Sequence, residues 1–253
     1  MKFDVVTIFP SMMQAFLSEG VVARAVANDV LDVAVHDLRV FTTDRHRTVD
    51  DVPFGGGPGM VMKREPFARA VSHIREARGE PDSIVLTSPQ GTLFTHAEAV
   101  RLAQLDHVVL LCGRYEGVDE RVPEQVTTEE LSIGDYVVSG GELPAAVILE
   151  AVGRLVPGVV GDAESVQRDS FVRSLLDFPH YTRPATVDGH QVPEVLLSGN
   201  HADIRRWRKR EAVRRTMERR PGMLMRARLD DEELEILQEL QQLERERKAG
   251  ADA

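Results

Sequence analysis

The sequence predicts an α/β fold, a parallel sheet covered by helices on both faces, followed by a small helical domain. Three features predict it. Short apolar runs alternate with amphipathic segments through the first half, the pattern of a sheet whose strands are joined by helical crossovers. Near residue 156 that periodicity fails, and further on the apolar spacing becomes helical.

The strands are expected at residues 3–9, 31–36, 84–87 and 108–112, with a short piece at 136–138. Pro10-Ser11 opens a helix after the first strand, since proline is tolerated in a first helical turn. Thr95 and Glu98 stand at capping-box spacing for another. Residues 143–155 form a third helix, so apolar all round that burial is predicted. From 156 to about 174, Gly158, Gly161, Asp162 and Ser165 suggest a mobile linker and a domain boundary. Asn200 and Asp203 then resemble a helix N-terminus, with Ile204, Trp207, Val213 and Met217 as apolar positions and Pro221-Gly222 as the stop. A final helix, 230–248, places Leu234, Leu237, Leu240 and Leu243 at helical spacing, and 249–253 are expected to be disordered. The predicted division is 1–160, a linker at 161–174, and 175–253.

Composition narrows the function classes. The 253 residues are 28% charged and 42% hydrophobic, enough to bury a substantial core. No apolar run approaches the roughly 20 residues needed to span a bilayer, and Met1-Lys2-Phe3-Asp4 does not start a secretion signal, so the cytoplasm is the expected location. The single cysteine, Cys112, excludes an internal disulfide, and the eight histidines fall at no metal-binding spacing. Cys112 ends a predicted buried strand and is read as packing.

A net charge of −10 would by itself disfavour a polyanionic partner. Its distribution reverses that inference. Between His201 and Arg228 lie eleven Lys and Arg against three acids, a local balance of +8 that leaves −18 for the rest. Arg205, Arg208, Arg215 and Arg219 can share one helix face and grip phosphates. Trp207 fits core or an amphipathic edge better than a base-stacking platform.

Three loops rich in Gly, Ser and Pro follow predicted strands: Ser88-Pro89-Gln90-Gly91, Gly113-Arg114-Tyr115-Glu116-Gly117, and Ser132-Ile133-Gly134-Asp135 running on to Ser139-Gly140-Gly141. The carboxyl ends of parallel strands share one edge, so these loops can converge on a crevice for a flat ligand. Ordinary nucleotide signatures are missing: no GxGxxG follows the first strand, and Gly55-Gly56-Gly57-Pro58-Gly59-Met60 lacks the Gly-Lys-Ser/Thr ending of a P-loop. That glycine run follows a basic loop, Thr42-Thr43-Asp44-Arg45-His46-Arg47, where backbone can approach a polynucleotide closely.

These motifs, in this order, closely resemble bacterial tRNA (guanine-37-N1)-methyltransferases: Asp44 to Asp51 with Gly55 to Met60, the three loops with Tyr136 and Glu142-Leu143-Pro144, Pro179-His180-Tyr181-Thr182-Arg183-Pro184, and Leu197-Ser198-Gly199-Asn200-His201. The resemblance runs from Lys2 to about Met225. It implies a SPOUT fold, with the later part of the sheet threaded into a trefoil knot, where the residues alone would predict an unknotted sheet. It also implies an obligate homodimer with shared active sites.

The implied cofactor is S-adenosylmethionine, bound by Ser88, Pro89, Gly91, Gly113, Tyr115, Glu116, Gly117, Ile133, Gly134, Asp135, Tyr136, Val137, Val138, Gly140, Gly141 and Pro144. The implied tRNA contacts are Arg45, His46, Gly59, Arg183, Asn200, His201, Arg205, Arg208 and Arg215. Magnesium assistance is implied as well, although no dedicated ligand set is visible and no metal site is predicted. Methylating N1 of guanine requires alignment of the reacting atoms, a base for the N1 proton and a cation near O6. A carboxylate is a weak base in water and strengthens on partial burial. The resemblance assigns Asp169 as that base, delivered from the partner subunit, and Arg154 as the balancing cation. Neither stands out from the residues themselves, because a linker Asp is ordinarily solvated and an Arg at a helix C-terminus ordinarily complements the helix dipole.

Three departures from the family pattern are visible: Phe54 in place of a common Tyr, Arg173-Ser174 where Gly is frequent, and a tail after Leu229 that is long and rich in Glu and Arg. Two alternatives stay open at this point. One is a SPOUT methyltransferase acting on another nucleotide or on ribose O2′, and the other is a non-catalytic RNA-binding protein.

Overall fold

A computed structural model describes residues 1–161 and 169–251, the side chains through 249. The chain divides into two compact units, Met1–Ala163 and Glu164–Ala253. Asp162 and Ser165, and with them the middle of the expected linker, lie outside the described residues.

The first unit is built on a five-stranded parallel sheet in the order β2-β1-β6-β5-β7. Its strands are β1 (Lys2–Thr7), β2 (Asp32–Asp37), β5 (Ser83–Leu93), β6 (His107–Cys112) and β7 (Glu129–Ser132), and a two-residue pair, β3 (Asp50–Asp51) with β4 (Val61–Met62), lies outside it. Side chains alternate across each strand. Phe3, Val5, Val108, Leu110 and Cys112 therefore face one core with Val85, while Val6, Val109, Leu111, Ile84 and Leu86 face a second.

Helices α1 (Pro10–Phe16), α2 (Gly20–Ala27), α4 (His96–Leu102) and α6 (Glu142–Gly153) cover the first face through Met13, Val22, Ala25, Leu102, Ala145, Ile148, Leu149 and Val152. Helices α3 (Arg64–Arg78) and α5 (Arg121–Gln125) cover the second through Phe67, Ala70, Val71, Ile74 and Val122. Burial on both faces is why β1 and β6 carry near-continuous apolar runs rather than strict alternation. α3 is absent from the sequence expectations, although Phe67, Ala70, Val71 and Ile74 have the i, i+3, i+4, i+7 spacing of an amphipathic helix.

Four expectations are corrected. The last strand is 129–132, not 136–138; Gly134, at φ 148°, turns the chain away from the sheet, and Tyr136 and Val137 stand exposed. β5 does not end before Ser88. It resumes to Leu93, and both Thr87 and Thr92 register with Leu131, so residues 88–91 bulge out of a continuing strand. Gly91 permits that return: a Cβ there would sit 2.5 Å from the backbone of Glu130 and Leu131. At α4, Thr95 occupies the N-cap position without a side-chain cap hydrogen bond.

The second unit contains a hairpin, β8 (Thr186–Val187) with β9 (His190–Gln191), turning at Asp188-Gly189, both at positive φ. It also holds α7 (Glu194–Leu197), α8 (His201–Arg219) and α9 (Asp231–Ala251). Asn200 caps α8, its side chain accepting from the amides of Ala202 and Asp203. α8 packs on α9 through Val213, Ile236 and Leu240, with Met217, Leu229 and Leu237 at the margin. The fourth correction lies here. Leu234 and Leu243 are exposed, because Ile236 and Glu233 occupy the inward stripe, and α9 carries helix past residue 249.

Candidate active site

At the carboxyl edge of the first unit's sheet, the three loops enclose a cavity of about 360 Å³, within the size range of small-ligand sites. Fourteen of the sixteen positions expected to hold a cofactor line it: Ser88, Pro89, Gly113, Tyr115, Glu116, Gly117, Ile133, Gly134, Tyr136, Val137, Val138, Gly140, Gly141 and Pro144. Gly91 and Asp135 do not line it. Gly91 serves the β5–β7 approach instead, and Asp135 is an exposed side chain beyond the turn at Gly134. Gln90, Arg114, Ser132 and Ser139 line the cavity as well, and each lies inside a motif the sequence singles out.

The loops hold one another in place. Gly141 donates its amide to Gly113 O at 2.8 Å, and Arg114 bridges Gly140 in an antiparallel contact. Buried Glu142, at the start of α6, accepts from Thr7 Oγ1 at 2.7 Å and from Arg114 Nη1 at 3.1 Å. The Arg114 guanidinium also lies 4.5 Å from the centroid of the Phe9 ring. The Glu142 network joins residues 7, 114 and 142, and no local motif could have revealed it. Cys112 is fully buried, and that burial, reinforced by the Glu142 charge, holds its thiol well above the ordinary range. It is a packing group.

The glycine run is stitched to the second loop. Glu116 donates its amide to Met60 O at 3.0 Å, and Met62 donates to Gly117 O at 3.0 Å. Gly59, at φ 82°, lies against Glu116: a Cβ there would meet Glu116 Cγ and Oε1 at 2.5 Å, so the Glu116 side chain would have to swing away. Nearby, the Asp44 carboxylate accepts from the amides of His46 and Thr48 and from Thr48 Oγ1, closing a turn that leaves Arg45 and His46 exposed. The Thr48 amide is the main reason that the Asp44 carboxyl titrates below the usual range.

Arg154 is the half-buried C-cap of α6 in the first unit. Asp169 is half-buried in the second, its carbonyl accepting from the Val172 amide at 3.4 Å. Arg183, Asn200 and His201 are exposed in the second unit.

The cations of α8 divide into two sets. Arg206 pairs with Glu232 and Glu239, Lys209 with Asp230 and Glu232, Arg210 with Glu239, and Arg214 with Glu211 and Glu218. Among the described residues no acid pairs with Arg205, Arg208, Arg215 or Arg219; Arg208 instead stacks 5.0 Å from the Phe178 ring centroid. Acidic residues of α9 and its cap thus neutralise much of one flank and leave the other set of cations available to an anion. Also among the described residues, no three His, Cys, Asp or Glu side chains gather as metal ligands, and no helix is long and apolar enough to cross a membrane.

A parallel α/β sheet with a glycine-walled cavity at its carboxyl edge, in a chain whose second unit carries a strongly cationic helix, fits the class of enzymes that act on nucleic acid with a small-molecule cofactor. Comparison with known proteins gives the family. The sequence matches the family described as tRNA (Guanine-1)-methyltransferase TrmD over residues 1–226. A tRNA (guanine-N(1)-)-methyltransferase of Geobacter metallireducens is 50% identical over 242 residues, 96% of this chain and 98% of that relative. One from Pelotomaculum thermopropionicum is 51% identical over 241 residues, 95% and 96% of the two chains. One from Moorella thermoacetica is 50% identical over 250 residues, 98% and 99%. The chain belongs to the tRNA (guanine-1)-methyltransferase family. The Moorella relative aligns with 98% of this chain over 99% of its own length, so a tail of this length is shared with that relative.

Proposed function

We propose that this protein transfers a methyl group from S-adenosylmethionine to N1 of guanine 37, beside the anticodon of a tRNA, in the cytoplasm, as a homodimer whose subunits share active sites. The observation that carries this reading is the convergence of three separate loops on one cavity in a chain of this family. An RNA-binding protein without catalysis has no need of such a cavity.

The cavity walls suit such a cofactor. Gly113, Gly117, Gly134 and Gly140 bring backbone to the wall, Pro89, Ile133, Val138 and Pro144 offer apolar faces, and Ser88, Ser139 and Glu116 offer polar groups. S-adenosylmethionine supplies a methyl carried on a sulfonium, a leaving group that needs little further activation. The protein must then orient the acceptor, remove a proton and balance charge.

Asp169, from the partner subunit, accepts the N1 proton, and Arg154 stabilises the negative charge that gathers at O6 as the proton leaves. Residues 1–160 hold the cofactor, 161–174 link the units, and 175–253 hold the tRNA, with Arg205, Arg208 and Arg215 on phosphates. Arg45, His46 and Gly59 meet the RNA beside the cavity, while Arg183, Asn200 and His201 meet it in the second unit. A trefoil knot belongs to the same reading, supported by the return of the chain after β7 to lay Gly141 against Gly113 and Cys112. Magnesium assistance is carried with the family resemblance and is assigned no step.

The test is methyl transfer from labelled S-adenosylmethionine to two unmodified tRNA transcripts, one with guanine and one with adenine at position 37. Label confined to the first, and mapped by mass to N1, is the expected result. Label on ribose or at another nucleotide overturns the site assignment, and binding of tRNA without transfer overturns the activity.

A further inference from the structure

We infer that Arg173 and Glu233 are positioning residues for the base: their ion pair fastens the turn beginning at Asp169 to α9, a helix beyond the part of the chain that the family match spans. This rests on the reading of Asp169 as the base given above.

Residues 169–177 form a closed turn. Val172 donates its amide to Asp169 O at 3.4 Å, Ser174 to Phe171 O at 3.1 Å, and Phe171 to Leu175 O at 2.8 Å; Asp177 donates to Ser170 Oγ at 3.0 Å. Phe171 and Ser174 hold left-handed backbone, at φ 80° and 56°. Non-glycine residues stay in that region only where their surroundings over-determine it.

Two anchors outside the turn supply that constraint. On one side, the Leu176 amide donates at 2.8 Å to Oγ1 of Thr216, a fully buried residue of α8, and Leu175 is buried. On the other, Arg173 grips Glu233 with both terminal nitrogens, Nη1 to Oε1 at 3.0 Å and Nη2 to Oε2. Arg173 Nη2 also donates to Arg228 O at 2.7 Å, and the Arg228 amide donates to Arg173 O at 3.2 Å.

Glu233 is itself held. Its side chain is 2% exposed, and its carboxylate accepts from the Asp230 amide at 2.9 Å while Asp230 Oδ1 accepts from the Glu233 amide at 3.0 Å, a reciprocal capping box at the start of α9. A two-point guanidinium–carboxylate contact fixes direction as well as distance. The pose of the turn, and of the backbone at Asp169, is therefore set by a carboxylate sixty residues away.

The experiment is steady-state methylation by the full-length homodimer with Glu233→Gln, Arg173→Ala and Arg173→Lys, rates normalised to folded, cofactor-binding sites by calorimetry. Misplacing a catalytic group by about an ångström can cost on the order of a hundredfold in rate. Glu233→Gln and Arg173→Ala are expected to lower kcat at least about tenfold, with KM for tRNA and for cofactor within about twofold. Arg173→Lys, which keeps the charge and loses the two-point grip, is expected to recover part of the loss.

A role limited to stability would lower the folded fraction and leave kcat per site unchanged; that result overturns the proposal. A rise in KM for tRNA with kcat intact also overturns it, because α9 would then act through RNA affinity. Should Glu233→Gln or Arg173→Ala fail to fold, Arg173→Lys decides on the same kcat and KM criteria. Asp169→Ala runs in parallel. Turnover retained in that variant removes the base assignment and this inference with it, whereas an inactive Asp169→Ala beside fully active pair variants removes the anchor alone.

Discussion

The Gly141 amide donates to the Gly113 carbonyl at 2.8 Å, joining the loop after β7 to the loop after β6 at the floor of the cavity. Contact is so close that a Cβ on Gly141 would lie 2.7 Å from the Cys112 Cα and collide with Thr87 Oγ1. Gly141→Ala is therefore expected to abolish cofactor binding or folding, since backbone cannot yield as a flexible side chain can. Gly117→Ala meets open space and bears only the strain of φ 129°, about 1–3 kcal/mol. Calorimetric titration and thermal unfolding of the two variants separate these outcomes; equal behaviour would refute the contrast.

Asp169→Ala is expected to leave cofactor affinity nearly unchanged and to slow methyl transfer by about 10²–10⁴-fold, the range of general-base contributions. Single-turnover rates with saturating tRNA measure it. Near-normal turnover takes Asp169 out of the base role.

The partition of the α8 cations predicts unequal mutational effects. Arg205→Ala or Arg208→Ala should each weaken tRNA binding and flatten the dependence of log K on log salt by about 0.7–0.9. Arg206→Ala and Arg210→Ala should leave that slope almost unaltered, because Glu232 and Glu239 already neutralise those cations. Filter binding across a salt series reads the slope directly, and equal slopes for all four variants contradict the partition.

A buried cluster predicts acid sensitivity. Burial opposes ionisation of Asp4, but hydrogen bonds from His36, His107 and Arg78 outweigh it and hold the carboxyl below its ordinary range. A carboxyl depressed on folding stabilises the native state above its unfolded pKa of about 3.9, and that contribution is lost as pH falls through the lower folded value. Asp4→Asn should thus cost about 3–5 kcal/mol near neutrality, with the gap to wild type narrowing below about pH 4. Denaturant melts from pH 3 to pH 7 test this; a gap independent of pH contradicts it.

Cys112 is expected to resist alkylation in the native protein and to react once the chain is unfolded, since burial disfavours its thiolate. Mass spectrometry after iodoacetamide treatment measures it, and rapid native labelling would mean that β6 opens locally.

Much of this protein is local in origin. The apolar runs of β1 and β6, the helical spacing of α6, the Asn200 cap and the glycine-rich loops are all legible in sequence because each obeys a short-range rule of periodicity or turn chemistry. Family motifs add the names of cavity residues. The sequence does not disclose which groups meet across long separations. Only tertiary packing decided that Gly91 lets β5 double back along β7, that Thr7, Arg114 and Glu142 share one network, that acids near and on α9 neutralise selected cations of α8, and that Arg173 finds Glu233. The physical reason is one of range: periodicity reports which side of an element is buried, whereas the partner of a buried charge or a missing Cβ is chosen by whichever distant segment the fold brings within a few ångströms.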